Sequence, residues 1–246
     1  DLSEIEAKLA LGAKAIIVVH PNNPTGTYLP AEQMRALLEL AASRGATVIA
    51  DEVFFDHVIE GHRPSPSFAA TAAPGLCCVL SGLSKVLALP QVKLGWIIVR
   101  GAPELVLEAK RRLAIISDTY LSVATRIERA LPRMLGHREA IRQELRARVR
   151  ENLAALDRAL APLGEVGVVR REVPAGVVAL VEVPRVCADR DWAARLAARG
   201  VGVHPGSFYE IEDRATLVVS LLLAPGAFAA AAAALAAGVE AISREG

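Results

Sequence analysis

The sequence predicts an α/β fold built on a mostly parallel sheet, followed by a smaller α+β region. Three observations predict it. Short β-branched runs recur in the first two-thirds of the chain, separated by stretches of helical period. Glycines and prolines fall where those segments should stop. A composition of 53% hydrophobic and 22% charged over 246 residues supports a sizeable core, in one large or two modest domains.

Taken in order, Ala15–Val19 (AIIVV) reads as a strand covered on both faces. After a turn at 22–26, Pro30 opens a helix that runs to Arg44. Its apolar positions Met34, Leu37, Leu38 and Ala41 keep i, i+3, i+4, i+7 spacing, and Gly45 ends it. Residues 47–50, 76–80 and 96–99 give three further buried strands. Ligands of such a sheet lie at strand C-terminal ends. Residues 137–163 form one long charged helix striped by Leu145, Val149, Leu153 and Leu156, of the kind that bridges two domains. Beyond it come strands at 176–181, 202–204 and 217–222, a helix at 191–199 and a last helix after Pro225. The domains are therefore expected at 1–140 and 141–246.

A formal net charge of +1 with scattered Lys and Arg excludes the basic face that nucleic acid requires. Three cysteines, Cys77, Cys78 and Cys187, make no disulfide framework and no zinc spacing, so no metal is expected. Asp1 to Lys8 carry no apolar targeting stretch, and no run reaches the ~18 apolar residues of a membrane span. The Ala-rich tail at 227–237 reads as a short buried helix. The expected protein is soluble and cytoplasmic, with no membrane partner.

Four local signatures carry chemistry. Pro21-Asn22-Asn23-Pro24-Thr25-Gly26 leaves an Asn amide at a strand end, although the same residues also make an ordinary turn. Asp51-Glu52-Val53-Phe54 places a carboxylate at the next strand end. That group either satisfies a helix start or meets a cation. Ser81-Gly82-Leu83-Ser84-Lys85 follows the third strand. Burial there would hold Lys85 as a neutral amine able to form a Schiff base, whereas a loop lysine would be a solvated charge. Lys93, before Gly95-Trp96, offers a point charge to a phosphate or to solvent.

Together, "HPNNPTG … IADEVFFD … LSGLSKVLALPQVKLGWIIV" resembles the class I/II aminotransferases, pyridoxal 5'-phosphate (PLP) enzymes of fold type I. The likeness extends through Gly202-Val203-His204-Pro205-Gly206, similar to a "V-x-PG" strand of the family's small domain. It implies part of the large, mostly parallel sheet domain plus a C-terminal α+β small domain. Residue by residue, it implies Lys85 as the catalytic lysine that binds PLP and moves the proton. It implies Asp51 at the ring nitrogen, Asn23 at the 3-oxygen, and Ser84 and Lys93 near the phosphate with Ser81 as helper. It also implies amino acid and oxo acid substrates and a homodimer, with Tyr28 facing the partner.

The pattern departs from the family in four places. Phe54 stands where a Tyr hydroxyl is usual. Lys93 replaces an Arg and gives up its bidentate fork. Gly82 replaces a hydroxyl residue. Val218 occupies the place of the Arg that clamps the substrate carboxylate, with Arg214 four residues upstream as a substitute only if the chain path differs. The family also has an N-terminal part with a phosphate-cradling turn and a stacking aromatic. The chain is expected to be a piece of a longer product that binds PLP poorly, if at all, alone. The expected function is a PLP-dependent aminotransferase. A lyase, decarboxylase or racemase on the same scaffold, and a non-catalytic regulatory module, are the alternatives. His20, His57, His62 and His137 read as surface or locally satisfied. Phe208 and Tyr209 read as core or domain-contact aromatics, and His204 as a residue near the pocket.

Overall fold

The computed structural model describes residues 1–59 and 61–245, which divide into two compact units. The first comprises Asp1–Asn23, Thr27–Asp56 and Arg63–Arg142; the second comprises Pro24–Gly26, His57–His62 and the chain from Gln143.

In the first unit α1 (Leu2–Ala10) precedes β1 (Ala15–Val19), α2 (Ala31–Ser43), β2 (Thr47–Asp51), β3 (Cys77–Gly82), α3 (Leu83–Val86) and β4 (Gly95–Arg100). Asp1 caps α1, its carboxylate accepting the Ser3 N–H at 2.9 Å. Pro30 sits at the N-cap of α2, and Gly45, at φ +63°, stops the helix in a conformation that favours glycine. The four strands form one sheet in the order β1-β2-β3-β4, with β1-β2 and β2-β3 parallel and β3-β4 antiparallel. Strand residues alternate between faces. The row Val18, Ala50, Val79 lies against Met34, Leu37, Leu38 and Ala41 of α2, with Leu9 and Phe68 completing that core. The helical stripe read from sequence is thus the buried one.

The opposite face corrects the expectation for β1. Ile17, in register with Ile49, Cys78 and Val99, is 73% exposed. This face is only partly covered among the described residues, with Ile49, Cys78 and Val99 half-buried. Two further helices, α4 (Pro103–Thr119) and α5 (Thr125–Leu135), bury no residue fully. Ile127, Leu131 and Met134 of α5 nevertheless pack on the cluster of Leu83, Val86, Leu87 and Leu94.

In the second unit the long helix α6 (Arg138–Leu160) contributes Val149, Leu156 and Leu160 to the core. The antiparallel sheet β5-β6-β8-β7 is built from β5 (Val169–Arg171), β6 (Val178–Glu182), β7 (His204–Pro205) and β8 (Thr216–Ser220). Helix α7 (Asp189–Ala197) adds Trp192, whose indole N–H donates to the Pro184 carbonyl at 3.1 Å. Asn152 interrupts the apolar stripe of α6 because its amide donates to the Leu221 and Leu223 carbonyls at 2.9 and 2.8 Å. The tail is longer than expected: α8 (Pro225–Glu245) has 21 residues. Among the described residues it is the one helix long and apolar enough to cross a membrane by length and composition. Phe228, Ala232, Leu235, Val239 and Ile242 instead enter the core of this unit.

Candidate active site

Parallel strands discharge their loops at one edge, and three of the sequence signatures meet there. Val19, Asp51 and Leu80 are in register, so β1, β2 and β3 run out together. The ladder extends past them, with the His20 N–H donating to the Asp51 carbonyl at 2.8 Å and the Glu52 N–H to the Leu80 carbonyl at 2.9 Å. Asn23 follows β1 in a turn closed by the Asn22 N–H to the Thr27 carbonyl at 2.9 Å. Asp51 ends β2, and its Oδ1 accepts the Val53 N–H at 3.0 Å, which fixes the carboxylate against its own backbone.

Ser81 lies in β3, and Ser84 and Lys85 lie in the short helix α3 directly after it. The Lys85 Nζ stands 5.4 Å from the centre of the Phe54 ring, so the amine reaches the loop that begins with Asp51. Lys93 joins the same edge because the Leu83 N–H donates to the Leu94 carbonyl at 3.0 Å. Gly82 and Gly95 allow that approach: a Cβ on Gly82 would meet the Leu94 oxygen at 3.0 Å and the Gly95 Cα at 3.1 Å. The departure at Gly82 from a hydroxyl residue therefore has a packing reason.

One expectation is corrected. Lys85 is exposed, not buried, because the first turn of α3 presents it outward while Leu83 and Val86 take the core side. Lys93 is exposed as well and adopts left-handed backbone at φ 57°. A lysine there is uncommon, and strain of this kind gathers at functional sites.

Sequence reasoning missed the residues that hold this edge together. His20 is fully buried and locally satisfied, the second of the two readings its sequence allowed, and Glu52, next to Asp51 in sequence, is buried as well. Glu52 accepts the Ser67 hydroxyl and the Phe68 N–H, the latter at 2.7 Å. Burial pushes its carboxyl above the usual carboxylate range, against the pull of those two hydrogen bonds. Tyr28 donates to the Phe55 carbonyl at 3.4 Å, and Arg138 clasps the Asp56 carboxylate through both Nε and Nη2. The loop 51–56 is thus tethered along its length. No signal in one sequence marks these partners, since each lies 15 or more positions away.

In the second unit, Val218 is buried with Val173 and Leu180, facing an apolar cluster. Arg214 is committed to Glu182, Nη1 to Oε2 at 2.7 Å, before β8 begins. Neither supplies a carboxylate clamp as placed here. The His204 Nδ1 and the Tyr209 hydroxyl are 2.9 Å apart. Phe208 corrects the core reading: it is 62% exposed, with the Arg190 guanidinium 5.5 Å from its ring centre. No cluster of metal-ligating side chains exists among the described residues.

The structure thus brings to one sheet edge a lysine just past a strand, a carboxylate at the neighbouring strand end, and Asn, Ser and Lys residues, the set that the sequence resemblance led one to expect. The profile of the family "Aminotransferase class I and II" matches residues 1–223, and the chain belongs to that family. It is similar to the alanine aminotransferase of Mycobacterium tuberculosis, 26% identical over 223 residues, which are 91% of this chain and 47% of that protein. The chain thus spans about half the length of that relative. An S-alkyl-thiohydroximate lyase of Arabidopsis thaliana is 36% identical over 138 residues, covering 55% of this chain and 29% of the lyase. Among solved structures, an aspartate aminotransferase from Rhodobacter sphaeroides superposes with a TM-score of 0.78 at 25% identity, covering 98% of this chain and 61% of that one. The Thermus thermophilus aspartate aminotransferase with maleate gives 0.80 at 22% identity, covering 97% and 60%, a likeness of fold.

Proposed function

We propose that this chain carries the lysine-bearing part of a PLP-dependent aminotransferase that moves an amino group between an amino acid and a 2-oxo acid. The observation that carries the reading is the Lys85 amine over the Phe54 ring at the strand edge where Asp51 also ends. The donor set fits the cofactor in kind: an amine for an aldehyde, a carboxylate for a cationic ring nitrogen, an amide for a ring oxygen, hydroxyls and an ammonium for a phosphate. Family members work with PLP, which supplies an electrophilic aldehyde and an electron-accepting ring when bound.

The chain's own residues have separate tasks. Lys85 provides the nucleophilic amine and afterwards holds or returns the proton taken from the substrate carbon. Asp51, oriented by the Val53 N–H, offers its carboxyl group at the sheet edge. Asn23 supplies the remaining amide donor, and Phe54 contributes an apolar face without a hydroxyl. Ser81, Ser84 and Lys93 bind phosphate, Lys93 as a point charge.

Reduction with borohydride after incubation with PLP, followed by peptide mapping, tests this. The added mass is expected on Lys85 in preference to Lys8, Lys14, Lys93 and Lys110, and Asp51→Ala should diminish it. Equal labelling of all lysines would sink the reading.

A second reading, a PLP lyase, is favoured by Val218 and by the commitment of Arg214 to Glu182, since no carboxylate clamp stands in its usual place. The similarity to a lyase supports it further. Ammonia and pyruvate formed without any oxo acid acceptor would decide for the lyase.

The proposal includes a homodimer and a cytoplasmic location. Exposed Leu107, Ile115, Ile116 and Leu121 in and after α4 support an interface between copies, which sedimentation velocity would read. Free Cys77, Cys78 and Cys187 suit a reducing compartment.

A further inference from the structure

We propose that His20 is a positioning residue: its neutral ring fixes the turn that presents Asn23 by tying that turn to the Pro66–Phe68 loop. The inference rests on the functional reading only for the use to which Asn23 is put.

His20 follows β1 directly and is fully buried. The Leu29 N–H points at Nδ1 at 3.3 Å, so Nδ1 is the bare, accepting nitrogen. Nε2 lies 3.3 Å from the Pro66 carbonyl, which can only accept, so Nε2 carries the hydrogen. The two contacts thus select one neutral tautomer. Three rings enclose it: Tyr28 at 5.2 Å and Phe68 at 5.4 Å edge-on, and Phe55 tilted at 6.0 Å.

The connectivity gives this histidine its task. Its backbone is held by Asp51 through the ladder, and its ring grips Leu29, the far end of the turn that starts after it. Asn23 lies between those two anchors. On its other side the ring grips Pro66, and the adjoining Ser67 and Phe68 are held by Glu52, the neighbour of Asp51. The loops that follow β1 and β2 are therefore braced on one common segment. A phenylalanine would fill the same apolar enclosure, yet it would leave the Leu29 N–H and the Pro66 carbonyl unpaired. An asparagine would restore an acceptor near the place of Nδ1.

Amide hydrogen exchange by NMR on the chain without cofactor tests this. In His20→Phe the Asn22 and Leu29 amides should exchange roughly tenfold faster while Ala50 and Val79 in the sheet keep their rates. The Asn23 side-chain amide signals should broaden in the same variant. In His20→Asn, Leu29 should stay close to the wild-type rate. Unchanged Asn22 and Leu29 in His20→Phe, or equal acceleration throughout the sheet, would overturn the proposal and leave His20 as a packing residue. PLP affinity, read by absorbance, should fall in the same order. Weak or absent PLP uptake by the wild-type chain is the outcome expected of a piece of a longer product, and the exchange rates still decide about His20.

Discussion

Lys93 shows how a single residue carries a backbone cost beside the task proposed for it. Its left-handed backbone at φ 57° disfavours any side chain with a Cβ, by about 1 kcal/mol. Lys93→Gly is therefore expected to raise the urea midpoint while lowering affinity for PLP, since the charge is lost. A variant that loses both would mean that the lysine is structural. His20 and Glu52 set a pH dependence of opposite sign. Burial lowers the His20 pKa below the ordinary imidazole value of about 6.5. The folded chain then binds fewer protons than the unfolded one, so the stability from His20 is present above about 6.5 and is lost as pH falls below it. Glu52, raised by burial, contributes stability that is present below its ordinary carboxyl value and lost as pH rises through its folded value. Between pH 7.5 and 5.5, about one unit either side of the ordinary imidazole value, denaturant midpoints should fall for the wild type and fall less for His20→Asn. A parallel fall in both would remove His20 as the cause.

At the scale of elements, legibility followed periodicity. Helix α2 was readable because four apolar residues fall on one stripe and Gly45 sits where the backbone must turn left-handed. Helix α4 was not, because Leu105, Leu107, Ile115 and Ile116 do not share a stripe and stay exposed. Strand β7, expected at 202–204, is found at His204–Pro205 and is only two residues long. In α6, Asn152 looks like a break in the stripe, and its reason is a pair of carbonyls some 70 positions away. The turn at Gly26 shows the opposite case, where the sequence named the residue and the structure supplied the constraint. At φ +68°, a Cβ there would meet Val173 Cγ1 at 2.6 Å and the Ala175 nitrogen at 2.8 Å. Gly26→Ala is expected to cost about 1–3 kcal/mol, measured by chemical denaturation, through overpacking and strain together.

For the molecule as a whole, an incompletely covered sheet face marks the first unit. Ile17 and Ile97 stand on it, alongside Asp51. The chain is expected to bind an apolar dye such as anilinonaphthalene sulfonate in its native state, and Ile17→Thr with Ile97→Thr should reduce the fluorescence while the unfolding midpoint holds. Dye binding that is absent, or unaltered in the double variant, would place the apolar surface elsewhere. The sequence by itself determined the order of the strands in the first unit and of helices α2, α6, α7 and α8, and proposed the residues Asn23, Asp51, Ser81, Ser84, Lys85 and Lys93, because period, turn chemistry and local motif are properties of neighbours along the chain. Tertiary structure alone decided that Lys85 is exposed, that Val218 is turned into an apolar cluster, and that His20 and Glu52 brace the strand ends. Those outcomes depend on which distant groups come within a few ångströms, and burial and hydrogen-bond partnership are set by that proximity rather than by position in the sequence.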